Sequence, residues 1–135
     1  MKVPISDEQR SFSVNDASIV LHFDDVEVKG ILNDTETARA FASKLPCRIR
    51  VSGAGIDFCG QMPFELPYQQ DQVKRGWKNG NINYNPGGGW FVVLFDDEEN
   101  SQRYGDQVNI GRVTCPLEVL HELSGSYDLL IEKAE

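Results

Sequence analysis

The sequence predicts a mostly β protein, a barrel or sandwich of antiparallel strands with two helices attached. Seven or eight short runs have the apolar or alternating pattern of strands, and turn residues separate them. Only two stretches have a helical period. The regular alternation of strand and helix that a parallel sheet requires is absent. Closure into a barrel would remove the exposed edges of such a sheet.

Length and composition are those of one ordinary globular domain. The chain has 135 residues, of which 40% are hydrophobic and 25% are charged. Residues 1–10 are polar and predicted to be flexible, and residues 11–135 are predicted to form the domain. No apolar run approaches the ~20 residues that span a bilayer, and the first residues lack the apolar segment of a secretory signal. A cytoplasmic protein is therefore expected.

The first predicted elements are a hairpin and a helix. Two strand-like runs within residues 18–32 flank Asp24 and Asp25, which indicates a hairpin with its turn at the two aspartates. Asn33 is predicted to cap the helix that follows, and Pro46 to end it. Between them, apolar residues recur at i, i+3, i+4 and i+7, as on one face of a helix, namely Ala38, Phe41, Ala42 and Leu45.

Residues 47–52 alternate strictly in polarity, which predicts a strand buried on one face. Cys47, Ile49 and Val51 form the apolar side of this strand. Arg48 and Arg50 lie on the other side, where a solvated strand face is the simpler interpretation. The alternative is that the two arginines line a site for an anionic ligand, which would bind against the acidic charge of the protein.

Three consecutive glycines, residues 87–89, separate two further predicted strands. Residues 82–84 form the first of these strands, and Pro86 would stiffen the entry to the turn. Residues 90–95 are six apolar residues in a row, rich in aromatic and β-branched types. A continuous apolar run bounded by turns indicates a strand that is covered on both faces.

The remaining elements are assigned from turn residues and periodicity. Pro63 and Pro67 restrict residues 56–69 to an edge strand or an ordered loop. The rest of the chain is assigned as an acidic exposed loop at residues 96–107, a strand at 108–113, a short helix at 114–123 capped by Thr114, and a last strand at 127–133.

The charge balance argues against two classes of partner. The sequence has 13 Lys and Arg residues against 21 Asp and Glu residues, a net charge of −8 at pH 7. Such a surface repels the phosphate backbone of nucleic acids and the anionic surface of membranes. We therefore expect neither a nucleic acid nor a membrane as partner.

The sequence contains no motif for a cofactor, a metal ion or a nucleophile. Trp90 follows the glycines at 87–89 where a phosphate-binding loop needs a lysine, so the glycines are predicted to bend the backbone. His22 and His121 are far apart, and no pair of His or Cys residues has the spacing of a zinc site. No cofactor and no metal is expected. The three cysteines are predicted to pack as small hydrophobes, with a reactive thiol as the alternative; they are Cys47, Cys59 and Cys115.

A group of aromatic residues and a proline is the remaining candidate for a site. Aromatic rings with polar tips line many sites for small molecules and peptides. The alternative is that these side chains fill the core and close the barrel ends. The group comprises Phe64, Pro67, Tyr68, Trp77, Tyr84 and Trp90.

The order of these motifs resembles a family of small bacterial proteins with a cyclophilin-like fold. The resemblance covers about residues 19–133 and rests on "ILNDTETARAFASKLP", "FCGQMPFELPYQ", "GWKNGNINYNPGGGWFVVLF" and "NIGRV". It implies a closed eight-stranded barrel with a helix at each end. Members of the family are largely uncharacterised, so the resemblance implies a fold more than an activity.

True cyclophilins are prolyl isomerases, and the chain resembles them only in part. "GGWFVV" and "QVNIGRV" resemble their core strands, with Gln107 where the isomerases carry a histidine. The signature around the catalytic arginine is missing, so Arg48, Arg50 or Arg112 would have to replace that arginine from another position.

We therefore expect a non-catalytic module that binds a small molecule or a proline-containing peptide in an aromatic cleft, with a weak or divergent prolyl isomerase as the alternative. The candidate ligand-binding residues are Tyr68, Trp77, Tyr84, Trp90, Arg48, Arg50 and Arg112.

Overall fold

Nine antiparallel strands and two α-helices make up the part of the chain, residues 17–134, that the computed structural model describes. The predicted flexible segment, residues 1–10, lies outside these residues. The strands are β1 (Ala17–Phe23), β2 (Val26–Leu32), β3 (Cys47–Gly53), β4 (Asp57–Gln61), β5 (Val73–Arg75), β6 (Asn81–Asn85), β7 (Trp90–Leu94), β8 (Asp106–Val113) and β9 (Ser126–Lys133). The helices are α1 (Glu36–Ala42) and α2 (Leu117–His121), and 3-10 turns span Gln70–Gln72 and Glu98–Arg103. No helix among the described residues is long and apolar enough to cross a membrane.

The strands close into a barrel in the order β2-β1-β9-β3-β4-β7-β6-β8. Pairing of β2 with the end of β8 completes the ring, where Leu32 lies opposite Gly111. The ninth strand, β5, pairs with the beginning of β8 and lies outside the ring. The closed eight-stranded barrel that the resemblance implies is confirmed, and β5 is an addition to it.

The predicted hairpin and the buried face of the first helix are confirmed. β1 pairs with β2, and Asp24 takes a left-handed conformation in the turn, with a φ of 58°. Phe41 and Ala38 are fully buried. The cap is Thr35 and not Asn33, because the Thr35 hydroxyl accepts a hydrogen bond from the Ala38 amide at 3.1 Å. Asn33 instead accepts hydrogen bonds from the Thr35 amide and hydroxyl.

Strand β4 differs from the prediction for its region. It lies inside the barrel, between β3 and β7, and is not an edge strand. Pro63 and Pro67 follow the strand, so neither proline removes a hydrogen bond from the sheet. Similarly, the second helix begins at Leu117 with Pro116 as its N-cap, not with Thr114.

Strand β7 is covered on both faces, as its unbroken apolar run predicts. Phe91 and Val93 are fully buried in the barrel core. Val92 and Leu94 point to the outside of the barrel, yet their side chains are buried in a second cluster with Trp77. This covered patch on the outer surface is the place where the fold forms a candidate site.

Candidate functional site

A groove lies on the outer face of β4 and β7, beside the second buried cluster of Trp77, Val92 and Leu94. Val92 and Leu94 form its floor. On the neighbouring strand, Cys59 lies opposite Val92 and Asp57 opposite Leu94, so all four side chains share one face. We call this depression, which has a volume of about 280 Å³, the outer groove. Its other lining residues are Ile56, Trp77, Asn85, Trp90, Tyr104, Gly105 and Gln107.

Trp77 is the fixed wall of the outer groove. Its side chain is only 7% exposed. The indole N–H donates to the Asp96 carbonyl oxygen, and the backbone N–H donates to the Ser101 hydroxyl, both at 3.0 Å. The ring of Tyr104 packs against the indole, with 5.1 Å between ring centroids. These contacts hold the indole in one orientation, so its side chain would lose little conformational entropy when a ligand binds.

Trp90 is the exposed wall of the outer groove. It begins β7 directly after the three glycines, and 39% of its side chain is accessible to solvent. A Cβ atom on Gly88 would collide with the indole of Trp90, so the turn approaches the ring closely. Gly89 has a φ of 73° and Gly87 donates its amide to the Asn85 side chain at 2.8 Å. The glycines are therefore a backbone bend that brings Trp90 to the groove.

A chain of four side-chain amides leads from the start of α1 to the outer groove. The Asn33 amide group donates to the Asn109 side-chain oxygen at 3.0 Å. Asn109 donates to Asn83, and Asn83 donates to the Gln107 side-chain oxygen, each at 2.9 Å. Because each oxygen in this chain is used as an acceptor, the Gln107 NH₂ group is left as a donor beside the groove. Among the described residues this NH₂ group has no hydrogen-bond partner.

Asp57 and Cys59 are the two described groove residues whose pKa values are shifted. Burial raises the pKa of the Asp57 carboxyl, and its Oδ1 atom has no hydrogen-bond partner among the described residues. Burial, and then the charge of Asp57, raise the pKa of the Cys59 thiol. A raised pKa keeps the thiol protonated at neutral pH, so Cys59 is a poor nucleophile. Burial also raises the pKa of Cys47 and Cys115, and both pack against the main core.

Replacement of Asp57 by asparagine is expected to leave the protein at least as stable at neutral pH. The pKa of the Asp57 carboxyl is higher in the folded protein than in the unfolded chain. The free energy of unfolding therefore falls as the pH rises from the ordinary carboxyl pKa through the raised one. Asp57→Asn removes this loss, so its advantage over the natural protein should vanish at about pH 3. Urea unfolding of both proteins at the two pH values measures the difference. If the stability of the variant relative to the natural protein were lower at neutral pH than at about pH 3, the raised pKa of Asp57 would be contradicted.

The aromatic candidates divide between two depressions. Trp77 and Trp90 line the outer groove, whereas Tyr68 and Tyr84 line a second depression of about 540 Å³. This glycine-turn pocket is bounded by residues 61–66 and 86–89. The two tyrosine rings are 6.5 Å apart, and the Tyr84 hydroxyl accepts a hydrogen bond from the Leu66 amide at 3.4 Å. Tyr84 is 3% exposed and therefore also belongs to the core.

None of the three candidate arginines lines the outer groove. Arg48 and Arg50 are exposed on β3, where Arg48 approaches the Asp128 carboxylate at 3.3 Å. Arg112 lines a third, smaller depression of about 130 Å³ with Asn33 and residues of β2 and β8. The structure therefore does not bring the arginines together with the aromatic candidates.

Sequence reasoning missed several residues that line the outer groove. Asp57, Tyr104 and Gln107 were not among the predicted site residues, although they line the groove. The alternation of β4 was an available signal, since it places Asp57 and Cys59 on the face opposite to buried Phe58. Among residues 17–134, no group of three or more His, Cys, Asp and Glu side chains is arranged to hold a metal ion.

Two comparisons with known proteins agree with the barrel fold of this chain. The model of the Cyclophilin-like family matches residues 21–132. The solution structure of a hypothetical protein from Archaeoglobus fulgidus is similar, with a TM-score of 0.72 and 19% sequence identity over 89% of this chain and 96% of that one. This likeness shows a shared fold. None of the curated proteins matches the sequence. Because the family match runs from β1 to β9, the chain belongs to the Cyclophilin-like family.

Proposed function

We propose that this protein is a non-catalytic binding module that holds a small molecule or a proline-containing peptide in the outer groove. One observation carries the proposal. Of the three large apolar side chains that are exposed among the described residues, two, Trp90 and Tyr104, line this one groove. Exposed aromatic side chains that border one apolar depression are typical of a binding site.

The size of the outer groove favours a small ligand or a single side chain of a peptide. Its volume of about 280 Å³ lies near the lower end of the range for ligand sites, which is roughly 300–1,000 Å³. A proline ring or a small metabolite fits such a volume, whereas a dinucleotide does not. The floor of Val92 and Leu94 favours an apolar group at the bottom of the groove.

The polar groups that line the groove would orient a bound ligand. The NH₂ group of Gln107, held by the amide chain, is a donor for an acceptor such as a peptide carbonyl. Since its partner Asn83 is 1% exposed, this donor is positioned from inside the protein and needs little reorganisation on binding.

The charges at the groove argue against catalysis of prolyl isomerisation. Rotation about a peptide bond has a barrier of ~20 kcal/mol, and an isomerase places an arginine near the prolyl amide to lower it. Within residues 17–134, no arginine or lysine lines the outer groove, and the charged group that does is the acidic Asp57. The alternative function, a weak or divergent prolyl isomerase, would need a cationic group, and none of the described residues that line this groove supplies one.

Replacement of Trp90 by alanine is expected to weaken ligand binding at least about tenfold while the melting temperature changes little, because the lost side chain is partly solvated. Trp77 and Trp90 are the two tryptophans of the sequence and both line the groove, so intrinsic fluorescence reports binding directly. The screen combines fluorescence titration and thermal shift against metabolites and proline peptides. Tyr68→Ala is the matched control, since Tyr68 is exposed to a similar extent, 42% against 39%, but lies in the glycine-turn pocket.

Two outcomes would contradict the proposal. Loss of binding in Tyr68→Ala with retention in Trp90→Ala would place the ligand in the glycine-turn pocket instead. In a protease-coupled assay with a proline peptide, we expect the uncatalysed rate, for which isomerisation takes tens of seconds. A protein-dependent acceleration that Trp90→Ala abolishes would establish the isomerase alternative.

A further inference from the structure

We infer that the ligand of the outer groove is a small organic cation whose alkylated ammonium group lies in the space that Asp57 and the aromatic walls enclose. This inference rests on the proposed function and adds the chemical class of the ligand. Three independent features of the groove lead to it, namely an unpaired carboxylate, aromatic rings and an apolar floor.

Within residues 17–134, no ion pair joins the carboxylate of Asp57 to a cationic side chain. Among the described residues, Asp57 is the one charged side chain that lines the groove; its Oδ1 atom is shielded from solvent and has no hydrogen-bond partner, so the carboxylate acts on a ligand through its charge. A shielded carboxylate without a partner is costly, and a cation brought in by a ligand would offset that cost. An anionic ligand would be repelled, both by Asp57 and by the net charge of −8.

The aromatic walls attract the same kind of charge. Trp77, Trp90 and Tyr104 all border the groove, and the first and last of these rings pack against each other. The face of an aromatic ring is electron-rich and attracts cations, tryptophan most strongly, and binding sites for quaternary ammonium groups are built from such rings. The Asp57 carboxylate and the aromatic rings therefore both attract a positively charged ligand.

The apolar floor selects an alkylated ammonium over a metal ion or a bare ammonium. The floor residues Val92 and Leu94, and Ile56, which also lines the groove, offer no hydrogen bonds from their side chains. A strongly hydrated cation would lose water contacts there without replacement, whereas methyl groups on nitrogen pack against such a floor. Calcium and magnesium ions need several oxygen ligands, and Asp57 is the one carboxylate at the groove within the described part of the chain.

A pair of probes with the same shape and different charge tests the inference. Choline carries a trimethylammonium group, and 3,3-dimethylbutan-1-ol carries a neutral tert-butyl group in its place. At constant ionic strength, we expect tryptophan fluorescence to show that choline binds at least about tenfold more tightly than the alcohol. Asp57→Asn should weaken choline binding about tenfold and leave the alcohol unaffected. Asp25→Asn, in the exposed β1–β2 turn, removes the same charge elsewhere and should change neither affinity appreciably.

The results separate this inference from the proposed function. Equal affinity for choline and the alcohol, or choline binding that survives Asp57→Asn, would overturn the inference while leaving a binding groove. Binding of neutral proline peptides or metabolites without binding of choline would also overturn the inference and leave the proposed function standing. If no compound quenches the tryptophans or raises the melting temperature, both the inference and the proposed function are wrong. The melting temperature of Asp57→Asn, measured in the same experiment, shows that the variant is folded.

Discussion

Replacement of Gly111 by alanine is expected to lower the free energy of unfolding by about 3 kcal/mol, or to prevent the barrel from closing. A Cβ atom at this position would collide with the backbone carbonyl oxygen of Ile31 and lie 3.0 Å from the Cα atom of Leu32. These neighbours are backbone atoms of β2, so they cannot rotate away as a side chain would. The pairing of β2 with β8 that completes the ring depends on this close approach.

Gly105→Ala is the matched control for this prediction. A Cβ atom at Gly105 would have no heavy atom within 4 Å outside its chain neighbours, and the backbone there has no positive φ that would strain alanine. Urea unfolding of the two variants and the natural protein gives the comparison. If Gly111→Ala and Gly105→Ala were equally stable, the strands would not approach as closely as the structure shows.

Replacement of Phe58 by alanine is expected to cost about 4 kcal/mol of stability, since a large cavity would form in the core. Phe58 is 1% exposed, and its ring packs against those of Phe23 at 5.1 Å and Phe95 at 5.6 Å between centroids. Cys59→Ala on the outer face of the same strand removes a smaller, half-buried side chain and should cost far less. A similar loss of stability in the two variants would contradict the assignment of inner and outer faces on β4.

Local patterns were sufficient for the elements whose own residues specify them. The β1–β2 hairpin needed only two strand-like runs and a turn, and the buried side of β3 followed from the alternation of Ile49 and Val51 with polar residues. The covered outer face of β7 was implied by its unbroken apolar run. In each of these segments the periodicity of a single stretch of chain reports which side faces the core.

Local patterns failed where the outcome depended on a small offset in position. Pro63 and Pro67 made the region of β4 look like an edge, although the strand ends two residues before the first of them. Asn33 and Thr35 both have the chemistry of a helix cap, but the Asn33 oxygen accepts from the Thr35 amide and hydroxyl while its NH₂ group donates to Asn109 of β8, so Thr35 caps the helix. Distant contacts of this kind leave no trace in the local sequence.

In the candidate site too, the sequence identified the residue types, whereas contacts between distant segments decided which residues lie together. Aromatic residues of the right type were identifiable in the sequence, but only the folded chain separates Trp77 and Trp90, which line the outer groove, from Tyr68 and Tyr84, which line the glycine-turn pocket. Composition, charge and periodicity were enough for the fold class and the bend at residues 87–89, because they depend on neighbours along the chain. The placement of Asp57, Trp90 and Gln107 around one groove required the folded barrel, since β4, β7 and β8, which supply them, are far apart in sequence.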